Sequence, residues 1–284
     1  MYTAAASFRL ADLPGQWTRQ ASKAFPWSAV KCLLSTEIKF RRPFGLNQRS
    51  CYYLLVGALV SPSPAELTPS KRWLSFLEVV LGAFIVIGHN IFHIVPNEVP
   101  ILFVLFWISL RLRDGGWGVA GLRRPNSWWK IVLMAIVAAA LLLLGSQFVI
   151  EPLASHLWHR PEQVSSLLKV PAHDWKLALR NLAIVWVFAG FGEEVGYRGY
   201  LLTRAADLGN RSKFAYVAAM LYVAMLFGFG HFYKGPAGVM DSTYSGLVLG
   251  GVHLFSGRNL WAAILAHGIC DTFAVLVIFM GWAT

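Results

Sequence analysis

Seven apolar stretches divide most of this chain and leave few choices for its fold. They cover about residues 73–94, 98–112, 129–150, 175–196, 213–231, 238–256 and 260–282. A helix crosses the hydrocarbon core of a bilayer with about 20 apolar residues, and most of these runs reach that length. Hydrophobic residues make up 56% of the chain and charged residues 14%, against about 25% charged in soluble domains. Mean hydropathy is +0.53. The expected fold is all-α, a polytopic membrane helix bundle of about seven transmembrane helices. Because the second run is short and the sixth is rich in glycine and polar residues, the range is six to eight.

Residues 1–70 read differently. They are basic, turn-rich and without a full-length apolar run, and are expected to form a disordered extension ahead of a membrane domain at 71–284. The first 50 residues hold eight Lys or Arg against Asp12 and Glu37. Basic residues beside membrane spans set orientation on the cytoplasmic side. The leader, the RLRDGGWGVAGLRRPNSWWK loop and the Arg204, Arg211, Lys213 turn are therefore all expected in the cytoplasm. A bacterial plasma membrane is the expected location and the bilayer the expected partner. Nucleic-acid binding is not expected, since the charge flanks the spans. Cys32, Cys51 and Cys270 have neither the even count nor the spacing of a disulfide framework or a zinc ribbon.

Within the apolar runs lie ionisable residues that need a reason. An Asp, Lys or Arg at mid-helix costs roughly 2.5–3.5 kcal/mol on insertion scales, yet FGEEVGYRGYL places three charges in six residues. Glu194 and Arg198 are four apart, share a helix face and can pair. Glu193 is rotated from Glu194 by about 100 degrees, so that pairing leaves it unexplained. A second cluster, FGFGH, ends in His231, and a third places His267 and Asp271 four apart. Histidine beside a carboxylate suits the activation of water. Intramembrane ionisable groups on separate helices are functional candidates by default, with a hydrolase and an ion or proton pathway both open. His89, His93, His156, His159 and His253 are assigned no chemistry. On these boundaries Glu193 and His231 fall near opposite ends of their runs. For them to meet, the fourth helix must continue past Tyr200 or the chain must break at Gly228 and Gly230.

These residues resemble the CPBP family of intramembrane proteases, which includes the type II CAAX prenyl endopeptidases and the bacteriocin-processing, Abi-like members. The resemblance spans about residues 175–275. The family's EExxxR appears as Glu193-Glu194-Val-Gly-Tyr-Arg198, its FxxxH as Phe227 to His231, and its HxxxN or HxxxD as His267 to Asp271. The resemblance implies a peptidase with its active site inside the membrane. Its substrate would be a membrane-associated or lipidated protein or peptide, prenylated CAAX proteins included. It further implies that Glu193 activates water with His231, that Glu194 and Arg198 support the site, and that His267 and Asp271 stabilise the oxyanion. Asp271 stands where many members carry Asn, and an ionised Asp cannot donate a hydrogen bond. The family is often labelled metalloprotease. If a metal such as zinc is used, Glu193, His231 and His267 are its expected ligands; otherwise no cofactor is needed. The alternatives are a non-catalytic immunity or scaffold protein of the same family and an ion-coupled transporter, the latter weakened by the lack of a visible internal repeat.

Overall fold

Polar side chains cap the start of five of the nine helices among the described residues. The computed structural model describes residues 67–158 and 173–282, all within the compact unit Pro64–Thr284. Most of the expected leader, Cys32, Cys51 and His159 lie outside the described residues. Thr68 caps α1, Pro69–Asn90, with Pro69 in the first turn, where its missing N–H is no loss. Asn97 accepts from Val99 N–H at 3.0 Å and opens α2, Glu98–Ser109. The third helix, α3, is Trp128–Gly145; after a π-helical turn it continues as α4, Glu151–Leu157. Asp174 caps α5, Trp175–Ile184, and Ser212 caps α7, Lys213–Phe229. Such caps satisfy backbone donors that the first turn leaves without partners.

Between α5 and α6, Leu202–Asp207, the chain does not leave the helical path. Two π-helical segments, Val185–Glu193 and Val195–Leu201, carry it through the two adjacent glutamates. π-Helical turns are rare and recur at functional sites. The bundle closes with α8, Gly235–Phe255, and α9, Leu260–Phe279. Among the described residues there is no strand, as the sequence predicts.

The seven apolar runs are all helical, but they are not seven equal spans. By length and apolar composition, Pro69–Asn90, Trp128–Leu157 and Leu260–Phe279 qualify singly as membrane spans among the described residues. Lys213–Phe229 and Phe232–Phe255, bent by 57°, form a fourth if they are one broken span. The second run fails because α2 has only 12 residues. The fourth is interrupted by Lys176, Arg180, Glu193, Glu194 and Arg198. Exposed Leu133, Ile136, Val137 and Leu141 line the outer face of α3, as expected of a helix facing lipid.

Small residues hold the inner faces together. Ala135 and Ala138 of α3 pack with Ala262, Ala263 and Ala266 of α9, the close approach that stabilises helix pairs where no water drives association. α9 also packs along the π-helical segment that leads to Glu193. Gly190 and Gly268 mark that crossing: a Cβ on Gly190 would lie 3.4 Å from the Gly268 Cα.

An ionic network joins α1, the end of α2 and α6. Arg204 is fully buried. It contacts Glu78 at 2.9 Å, Asp207 at 3.2 Å and Asp114, and it donates to Ser109 Oγ at 2.7 Å. Arg113 reaches Glu78 at 2.6 Å. The sequence placed Arg204 in an aqueous turn; instead α6 extends the helix and three carboxylates from three elements converge on its guanidinium. Removing one partner of such a buried group strands the others. Arg204→Ala is expected to destabilise the protein by about 3–5 kcal/mol, measured as reversible unfolding in detergent. A loss under about 1 kcal/mol, the range of exposed pairs, would contradict this role.

Candidate active site

The two adjacent glutamates have opposite surroundings. Glu194 is fully buried. Its Oε1 accepts from Arg198 Nη1 at 2.7 Å and from His267 Nδ1 at 2.8 Å. The pairing with Arg198 is the one the i, i+4 spacing predicts. The contact with His267 brings the first and third motifs together through Glu194 rather than Glu193. Glu193 Oε2 is buried with no hydrogen-bond partner among the described residues. Glu193 stands within Coulombic range of His267, Asp271, Glu194 and Glu98. Glu194 Oε2 is also without a partner, so the difference is that Glu194 is anchored through Oε1 whereas Glu193 makes no hydrogen bond among the described residues.

Arg198 is also fully buried and does more than neutralise Glu194. Its guanidinium sits over the Phe227 ring, 4.4 Å from the centroid, a cation–π contact that strengthens where water is excluded. Phe227 meets the His231 ring with centroids 4.8 Å apart and the His267 ring at 6.1 Å. One aromatic side chain thus spaces the two histidines and carries the cation on its face. The Phe of the second motif is a mechanical part of the site.

His231 reaches this cluster because the chain breaks after α7. The helix ends at Phe229, Gly230 caps it, and a short 3-10 turn, Phe232–Lys234, leads into α8. A Cβ on Gly230 would lie 2.7 Å from the Tyr197 hydroxyl, so only glycine lets the break press against the glutamate-bearing segment. Both conditions that the sequence posed as alternatives are met: the helix runs past Tyr200, and the chain breaks at Gly230.

The hydrogen bonds assign the histidine tautomers. A carbonyl only accepts, so the 2.9 Å contact of His231 Nδ1 with Phe227 O places the proton on Nδ1. That leaves Nε2 as the available acceptor. His267 likewise directs Nδ1 to Glu194, while its Nε2 faces Asp271 Oδ2 at 3.6 Å, so both of its nitrogens face carboxylates. Asp271 is partly exposed, on the same helix one turn on. Glu193 and His231 make no direct hydrogen bond or ion pair with each other.

The donor set does not fit a metal. Among the described residues no three His, Cys, Asp or Glu side chains are arranged to hold one ion, and the set Glu193, His231, His267 is not gathered around a common point.

Sequence reading passed over Glu98. It lies at the first turn of α2, where an acid reads as a partner for the helix N-terminus, and it is buried in a turn that packs through Val99 against Gly192. Its one signal was an acid directly ahead of the apolar run VPILFVLFWISL.

Comparison with known proteins matches the segment that carries this cluster. Residues 175–273 match the family model described as type II CAAX prenyl endopeptidase Rce1-like. The match takes in all three motifs and bears out the resemblance to the CPBP proteases over that segment. This is a family of CAAX-type intramembrane proteases, and with the apolar helices it points to an integral membrane peptidase. No curated protein and no solved structure gives a significant match.

The unequal surroundings of the glutamates have a measurable consequence. Glu194→Ala leaves the Arg198 charge buried without its partner and is expected to cost about 3–5 kcal/mol. Glu193→Gln removes no hydrogen bond and is expected to change stability by no more than about 0.5 kcal/mol in the destabilising direction. Equal losses in parallel unfolding measurements would contradict the division.

Proposed function

We propose that this protein hydrolyses a peptide bond in a membrane-associated or lipidated substrate, prenylated CAAX-type proteins being the class the family suggests. Glu193 is the general base. The observation that carries this reading is a buried Glu193 that makes no hydrogen bond among the described residues, beside a second glutamate anchored through one oxygen by Arg198 and His267. Glu194 Oε2 is likewise without a partner, but Glu194 is anchored through Oε1, whereas Glu193 has no structural contact to give up when it takes a proton.

In the proposed reaction a water lies between Glu193 and His231 Nε2. Glu193 takes its proton as the oxygen attacks the scissile carbonyl, and the tetrahedral oxyanion forms beside His267. The same proton then passes from Glu193 to the departing amine nitrogen, the C–N bond breaks, and Glu193 returns to a carboxylate. His267 is oriented by Glu194 so that Nε2 is turned toward Asp271 and substrate. To stabilise the oxyanion Nε2 must carry a hydrogen while Nδ1–H is held by Glu194, so His267 acts as the imidazolium. For Asp271 to donate to the oxyanion it must carry a proton; ionised, it holds the His267 ring instead. Preorganised donors of this kind are often the largest single contribution to such reactions.

No step is routed through a metal. The lack of a three-ligand group among the described residues supports the glutamate mechanism.

The test is cleavage of an internally quenched, prenylated CAAX peptide by protein reconstituted in vesicles. Glu193→Gln is expected to lower kcat/KM by about 10²–10⁴-fold. Wild-type cleavage by that variant would overturn the assignment. Asp271→Asn supplies a permanent donor and is expected to retain activity that Asp271→Ala loses. If both variants are equally inactive, Asp271 acts as a carboxylate and not as a donor. Cleavage is also expected to survive exhaustive treatment with a metal chelator.

A further inference from the structure

The turn that carries His231 ends in a cation with no acid to balance it. Lys234 closes the 3-10 turn Phe232–Lys234 and is the N-cap of α8, and its N–H donates to His231 O at 2.9 Å. Its side chain is exposed and makes no ion pair among the described residues. The first turn of α8 holds no acid. A positive charge at a helix N-terminus runs against the helix dipole, so the local structure gives no reason for a lysine here.

The chain nevertheless makes room for it. A Cβ on Gly238 would collide with the Lys234 Cβ, so glycine one turn into α8 leaves the space that the lysine stem occupies. Glycine is otherwise a poor choice inside a helix. The ammonium sits over the neighbouring Tyr233 ring, 5.8 Å from its centroid, and that ring lies 5.9 Å from the ring of His231. Lys234 Nζ is therefore no farther than about 12 Å from the imidazole that shares the attacking water. Phe232 and Tyr233 are exposed beside it, which leaves this rim of the site open to an incoming chain.

That distance and charge together select a ligand. An extended peptide advances about 3.3–3.6 Å per residue, so a carbonyl beside His231 is about three residues from a group that meets Lys234. A lysine ammonium pairs best with a carboxylate. A C-a-a-X terminus carries its own carboxylate three residues after the prenylated cysteine.

We infer that Lys234 is a specificity residue that binds the free C-terminal carboxylate of the substrate, about three residues beyond the scissile bond. The inference rests on the peptidase reading above and adds to it a substrate that must end in an ionised carboxylate. The rival partner for Lys234 is Asp271, which stands within Coulombic range without pairing with it. A lysine that served Asp271 alone would affect every substrate equally, whereas a carboxylate reader distinguishes two forms of one chain end.

The test uses the full-length protein in phosphatidylcholine vesicles and one prenylated peptide made with a C-terminal acid and with a C-terminal amide. The released fragment is followed by mass spectrometry. In the wild type the acid is expected to show a KM about tenfold below that of the amide at similar kcat, the scale of a hydrogen bond to a charged group. Lys234→Gln is expected to bring the ratio of the two KM values to about one, and Lys234→Arg to preserve it. The same two peptides, carrying fluorescein, report binding to Glu193→Gln protein by polarisation, and the same preference is expected there without cleavage. Equal KM and Kd values for acid and amide in the wild type would overturn the inference. So would a preference that survives Lys234→Gln, or a loss in that variant that falls equally on both peptides. The peptidase reading fails separately: a wild type that cleaves neither peptide but keeps the binding preference contradicts hydrolysis and supports the carboxylate site.

Discussion

A single carboxylate oxygen holds the three motifs in register. Glu194 Oε1 accepts from Arg198 on its own helical stretch and from His267 on α9. Because Glu194 and Arg198 are both fully buried, neither charge is tolerable alone, and a buried pair that loses one member is strongly destabilised. The arginine also lies on the ring of Phe227, which touches both histidines. The buried charge that first looked only costly is what ties α7, α9 and the glutamate segment together. Glu193 benefits because its neighbour, not it, carries the structural contacts.

Helix geometry brings these groups to one place by two irregularities. π-Helical winding carries the chain through Glu193 and Glu194 without interruption into α6. On the other side, α7 stops at Gly230 so that His231 sits in a turn pressed against Tyr197. A straight pair of spans would leave Glu193 and His231 at different depths. The ionic network around Arg204 fastens the far end of the same stretch to α1 and α2, so the glutamate segment is held on both sides.

Much of this was legible in the sequence, and what was not has physical causes. The helical class, the positions of the apolar runs and the Glu194–Arg198 pair follow from local composition and from side chains that face each other at i, i+4. Which helices cross the membrane was less legible: α2 and the Trp175–Asp207 stretch are apolar but too short or too charged to pass as simple spans. Arg204 read as a loop charge because two of its three carboxylate partners, Glu78 and Asp114, come from distant segments. The choice of Glu194 over Glu193 for His267 depends on how α9 crosses at Gly190 and Gly268, a tertiary fact without a local signal. Glu98 was hidden for the same reason, since an acid at a first helical turn has an ordinary explanation.

The central claim is that Glu194 is anchored through Oε1 while Glu193 makes no hydrogen bond among the described residues, and a pair of double-mutant cycles on unfolding free energy tests it most directly. Coupling between Glu194→Gln and His267→Ala is expected at about 1–3 kcal/mol, the range for residues in one hydrogen-bonded network. Coupling between Glu193→Gln and His267→Ala is expected to be smaller, within about 0.5 kcal/mol of zero. A larger coupling for Glu193 than for Glu194 would reverse the roles of the two carboxylates and contradict the account.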